Sequence, residues 1–207
     1  GTPARDSSEP QEGVEYDQRG GLRNRGLAPD AGATESGNLF FQGDTNDWFD
    51  PNNWTGLATP GSDDAAWIRD DKTVNLSAGS PPPAANVEVL GVGAGGGVNA
   101  VGTLTGMGVD LNVTEMAVGF ADAGRAVSST ATGTLDVGGI QIQTGFLLVG
   151  FAKADREDSE ADAVGNVKVG GSNSTTEVNE TTTVGGATVF AGGATEAARG
   201  TLNIAGT

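Results

Sequence analysis

Between residues 44 and 68 the sequence runs DTNDWFDPNNWTGLATPGSDDAAWI, and this stretch holds all three tryptophans of the chain, Trp48, Trp54 and Trp67. Two kinds of chemistry could use it. Asp44, Asn46, Asp47 and Asp50 offer hard oxygen ligands within seven residues, and Ca2+ takes about six to eight such oxygens from carboxylates, amides and carbonyls. The spacing lacks the glycine and the terminal Glu of an EF-hand loop, so the same side chains serve equally as turn and N-cap acceptors or as a solvated acidic face. Indole rings beside carboxylates also make a sugar-binding surface, whereas rings turned inward would close the open end of a hydrophobic core. Pro51, Asn52 and Asn53 fit a turn between the first two rings.

Composition narrows the remaining chemistry. The 207 residues contain no Cys and no His, which removes thiol chemistry, imidazole bases and most transition-metal sites. Lys72, Lys153 and Lys168 are the only lysines, and no carboxylate pair recurs at matched positions as acid-base catalysis would need. Asp110 and Asp136 come nearest. The expectation is therefore a protein that is not an enzyme. A net charge of -16 disfavours nucleic acid and anionic membranes as partners. Calcium is the one cofactor the residues suggest, at the quartet above or at the looser acidic run Asp155 to Asp162. No apolar run is long enough to span a membrane, and no signal segment opens the chain, so export would require a signal already removed. Sequons at Asn53, Asn75, Asn112, Asn173 and Asn179 arise readily by chance in so Thr-rich a sequence.

The elements that must carry these residues announce themselves as repeats. GTLDVGG begins at Gly133, GNVKVGG at Gly165 and GTLNIAG at Gly200, with a weaker GTLTGMG at Gly102, giving spacings of 31, 32 and 35 residues. A second mark keeps step: MAVG ends at Gly119, LLVG at Gly150 and TTVG at Gly185. From first mark to second is 17, 17 and 20 residues, so one unit carries three extra positions, within SNSTTEVNETTT. Apolar residues alternate inside each unit, Leu135 with Val137, Ile140 with Ile142, Leu147 with Val149, as half-buried strands require. The 35 glycines would penalise helices throughout. The pattern predicts an all-β parallel β-solenoid, or β-helix, with about three short strands per coil of 31 to 35 residues. Leu135, Val137, Ile140, Ile142, Leu147 and Val149 should point into one column and stack on Val167, Val169 and Val184 of the next coil.

Units of the form GTLxVxGG…LxVG resemble the β-strand repeats of large bacterial surface proteins, including autotransporter passenger domains and exosortase-sorted proteins. The stretch from Trp48 to Ile68 is similar to a segment W-x4-N-W-x5-P-x3-D-x-A-x-I that often opens such solenoids. The resemblance covers about residues 44 to 207 and implies an extracellular or cell-surface solenoid without known catalysis. Long loops such as FAKADREDSEADAV depart from the family pattern.

Three regions follow. Residues 1–43 are a polar extension with too few apolar residues for a core of its own, expected to lie along the solenoid or on a neighbouring subunit with Phe40 and Phe41 as its anchor. Residues 44–101 are the Trp-rich N-terminal cap and first coil, with Trp48, Trp54 and Trp67 buried at the end of the column. Residues 102–207 are the repeat coils, the last an incomplete coil at GTLNIAGT that further chain or another molecule would complete. The reading is a structural or adhesive element of a bacterial surface, self-assembling head to tail; the alternative is a calcium-assisted module that binds polysaccharide through the Trp segment.

Overall fold

The computed structural model describes residues 37–77, 84–96, 99–123, 128–154, 159–171, 174–189 and 195–206. The strands, in chain order, are β1 (Asn38–Phe40), β2 (Ala65–Ile68), β3 (Lys72–Asn75), β4 (Ala85–Gly96), β5 (Asn99–Met107), β6 (Leu111–Asp122), β7 (Ser128–Gly138), β8 (Gln141–Ala154), β9 (Glu160–Gly171), β10 (Thr175–Val184), β11 (Ala187–Val189) and β12 (Thr195–Gly206). They form two parallel sheets. The first runs β1-β2-β4-β6-β8-β10, with β11 also on β8, and the second β3-β5-β7-β9-β12. Chain order alternates between the sheets, so the backbone winds as a parallel β-solenoid of about four turns.

The three strands expected per coil exist as straight segments of two long, bent strands. In β6, Leu111 and Val113 are buried, Thr114 and Glu115 are exposed, and Met116 and Val118 are buried again. Two successive outward residues break the alternation, and there the strand turns a corner. In β8 the same corner falls at Gly145 and Phe146. In β10 the residues Asn179 and Glu180 oppose the single Gly145, because Val178 pairs Thr144 and Thr181 pairs Phe146. That bulge is one of the three extra positions of this unit. The other two lie between the sheets, since Gly165 precedes Thr175 by ten residues and Gly133 precedes its partner Gln141 by eight.

Leu135 pairs with Val167 and Val137 with Val169, and with Ile140, Ile142, Leu147 and Val149 they belong to one buried cluster. Fully burying each such aliphatic side chain contributes about 1.5–3 kcal/mol. Val184 is the departure from the expected column. It pairs with Val149 in register yet stays 42% exposed, because β10 is the outermost strand of its sheet.

The two repeat marks of the sequence are two ladders of glycine. Gly93, Gly119 and Gly150 sit in the first sheet and Gly185 directly after β10, with φ of +56°, +68°, +62° and +66°. Gly102, Gly133, Gly165 and Gly200 stand in register in the second. The ladders interdigitate: a Cβ on Gly119 would collide with the backbone of Val164 and Gly165, and one on Gly133 with Gly119 N and Val92 O. Backbone meets backbone here, and no side chain fits between.

This seam divides the interior into two compartments. On one side is the wide column of Leu, Ile, Val and Trp. On the other is a thin layer of Ala100, Ala121, Ala123, Ala131, Ala152, Ala154, Ala161 and Ala163. Sheets brought together at the glycines remain close just beyond them, and methyl groups are all that the gap admits. The signal for this layer in the sequence is Ala at alternate positions in FADA, FAKA and EADA.

Candidate functional site

The Trp segment folds as a lid on the first coil. Trp48 and Trp54 are both 0% exposed, with ring centroids 4.9 Å apart in an edge-to-face pair. Phe41 packs edge-on against Trp54 at 5.1 Å. Trp54 Nε1 donates to Trp48 O at 2.8 Å, so one indole is both packed and hydrogen-bonded. Asn53 is buried; its Nδ2 donates to Thr45 Oγ1 and to Asp47 O, each at 2.7 Å, while its carbonyl accepts from Gln42 N and Gly43 N. Asp64 is also buried, and its carboxylate accepts from Gly37 N at 3.1 Å and Gly61 N at 2.8 Å. These bonds tie the start of β1 to the loop before β2.

Every fixed letter of the segment W-x4-N-W-x5-P-x3-D-x-A-x-I is buried, at Trp48, Asn53, Trp54, Pro60, Asp64, Ala66 and Ile68. Trp67 occupies a variable position of that pattern, and its placement corrects the expectation. Ala66 and Ile68 point into the core, so alternation turns Trp67 outward; it is partly exposed on the outer face of the first sheet. Its Nε1 donates to Asn38 Oδ1 at 3.0 Å, and its benzo ring lies over Gly91 of the next coil, where a Cβ would collide with it.

Phe40 and Phe41, expected to anchor the extension on its own solenoid or on a neighbour, are used within the chain. β1 pairs with β2, Phe41 is 3% exposed in the core, and Phe40 turns outward beneath the Arg69 guanidinium at 4.2 Å. The solenoid therefore begins before the expected boundary at residue 43. The rest of the expected extension, residues 1–36, lies outside the described residues.

The proposed calcium quartet is not gathered. Asp47 Oδ1 accepts from Phe49 N at 2.8 Å. Asp50 Oδ1 accepts from Asn52 N at 2.9 Å and caps the 3-10 turn Pro51–Asn53, whose first residue is the proline such a turn favours. Among the described residues no group of three or more acidic side chains is placed to hold a metal. The first half of the second acidic candidate, residues 155–158, lies outside the described residues. Asp110 and Asp136 are likewise occupied: Asp110 Oδ1 accepts from Gln141 N at 3.0 Å, and Asp136 forms an exposed 3.2 Å ion pair with Lys168. Of the sequons, Asn53 is buried in the lid, which leaves no room for a glycan there.

Two outward features of the first sheet lie outside the sequence-predicted sites. The first is an open apolar groove of about 360 Å³ lined by Trp67, Val89, Glu115, Phe120, Phe146 and Leu148, among others. It follows the solenoid axis, because Val89, Glu115 and Phe146 are register partners on successive strands. At its side Phe120 stacks on Phe151, with centroids 5.8 Å apart and planes at 17°. The recurrence of VGFA at Val118 and Val149 was the legible signal for that stack. The second, across the corner, is an amide row of Asn86, Asn112 and Gln143, in which Asn112 Nδ2 donates to Asn86 Oδ1 at 2.9 Å.

The fold and these surfaces define a capped parallel β-solenoid with aliphatic and aromatic side chains in its wide column and an aromatic groove and an amide row on its outer face. Compared with known proteins, the chain matches no family model, no curated protein and no solved structure.

Proposed function

We propose that the chain is a structural or adhesive rod of a bacterial surface, working outside the cell and growing head to tail. The observation that carries the reading is the in-register stacking of coils across both sheets, locked by the glycine seam, with one end lidded by Trp48 and Trp54. Such a body transmits length and stiffness from coil to coil. The repeats and opening segment also resemble those of surface solenoids.

Growth takes place at the end formed by β10 and β12, the outermost strands of the two sheets. An uncovered strand edge is a template for a further strand. The next coil comes from the same polypeptide or from a second copy; end-to-end contacts between copies that do not close make a filament. Gly185 N donates inward to Val149 O at 2.8 Å, and Thr182 lies at the opposite parity, so its N–H faces the open edge.

The test is sedimentation velocity and electron microscopy of the chain beside Thr182→Pro, which removes that outward donor. Rods from the wild type and monomers from the variant, with native circular dichroism in both, are expected. Equal assembly by both, or no rods from the wild type, would overturn the reading.

A further inference from the structure

We infer that the outer face of the first sheet binds a linear, neutral polysaccharide along the solenoid axis, independently of any assembly at the strand edges. The site is the groove of Trp67, Val89, Glu115, Phe120, Phe146 and Leu148, with the Asn86–Asn112–Gln143 amide row as its polar margin.

Three observations select this occupant. The groove combines apolar ring surface with a carboxylate: Phe146 is 37% exposed, Trp67 and Phe120 are partly exposed, and Glu115 stands exposed among them at the corner of β6. A sugar ring has that same dual character, with an apolar C–H face that packs on aromatic carbon and hydroxyl donors that a carboxylate accepts strongly. A purely apolar partner would leave the carboxylate desolvated and unpaired. The same positions also recur on successive strands, Val89, Glu115 and Phe146 in one row and Gly91, Ala117 and Leu148 in the next. Strands repeat every ~4.8 Å across a sheet, so the groove lays its rings and its carboxylate in line along the axis, as a linear polymer would meet them. Finally, the charge of -16 opposes anionic polymers and the lateral approach of a second copy, whereas a neutral polyol meets no such barrier.

The ring orientations are set before any ligand arrives. Trp67 is pinned by its bond to Asn38 and rests on Gly91. Phe151, which supports Phe120, rests in the same way on Gly186 of the following coil. A bare glycine of the following coil gives Trp67 and Phe151 each a bed, and pre-set rings lose little entropy on binding.

Trp67 is also a built-in reporter, since the chain has three tryptophans and the other two are fully buried. The experiment incubates the full chain with microcrystalline cellulose, chitin and soluble cellohexaose, and follows depletion from solution and the emission of Trp67. We expect depletion by at least one of the solids and a blue shift with the oligosaccharide. Phe146→Ser and Glu115→Gln should each weaken binding about tenfold with unchanged circular dichroism. Met107→Ser, which alters a side chain 73% exposed on the second sheet, should bind as wild type. Lack of binding to all three probes, or binding that survives Phe146→Ser and Glu115→Gln, would overturn the proposal. So would loss of lateral self-association in Phe146→Ser without any glycan present, which would make a second copy the occupant.

Discussion

At the scale of single residues, successive tryptophans of the sequence do opposite work. Trp54 is buried, hydrogen-bonded and packed edge-to-face with two rings, so Trp54→Ala should cost about 3–5 kcal/mol. Trp67 packs on one side only, and Trp67→Ala should cost about 1 kcal/mol; urea melts of the two variants check the contrast, and equal losses would contradict it. Glycines divide as sharply. A methyl on Gly133 collides with two backbones that cannot move without opening the seam, so Gly133→Ala should destabilise by at least about 3 kcal/mol. Nothing lies within 4 Å of the corresponding position on Gly170, and Gly170→Ala should be neutral or stabilise by up to about 1 kcal/mol. Thermal denaturation of the pair separates a packing role for glycine from general chain flexibility.

At the scale of strands and sheets, the two compartments set different rules for substitution. Ile142 is 1% exposed in the wide column, and Ile142→Asp should unfold the array, because an unpaired carboxylate there costs several kcal/mol. Ala152, 0% exposed in the thin layer, should reject enlargement: Ala152→Leu should cost about 1–3 kcal/mol or more, measured as a fall in Tm with native-like strand content. The wide column was legible from sequence because Leu135, Val137, Ile142 and Val149 alternate and recur at the coil spacing. The coil length and the glycine marks were legible for the same reason. The thin layer was not, since Ala and Gly carry little hydrophobic contrast, and its meaning depends on two sheets meeting across a seam that no local pattern announces. Trp67 shows residue type and strand parity in conflict. Large aromatics read as core, but its side was decided by parity with Ala66 and Ile68. The aromatic groove needed register between strands, which the repeat marks supplied for Glu115 with Phe146, 31 residues apart, but not for Val89 with Glu115, 26 apart; the corner at Glu115 and Phe146, which turns those residues outward together, was hidden by their unequal chemistry.

At the scale of the molecule, charge and stacking act against each other. A rod carrying -16 repels its copies, and raising salt from 10 to 150 mM shortens the screening length from about 30 Å to about 8 Å. Head-to-tail assembly should therefore increase with salt, by light scattering at fixed protein concentration, and the increase should disappear in Thr182→Pro. The stacking has a mechanical consequence as well. In both sheets the backbone hydrogen bonds run along the rod axis, so tension between its ends falls first on the outermost rung. Coils would then peel away one at a time, with the interdigitated glycines parting rung by rung. Each 31-residue coil, Gly102 to Gly133 for example, would pay out roughly 100 Å of contour length, and the rod would yield under load as an extensible tether that rewinds when slack.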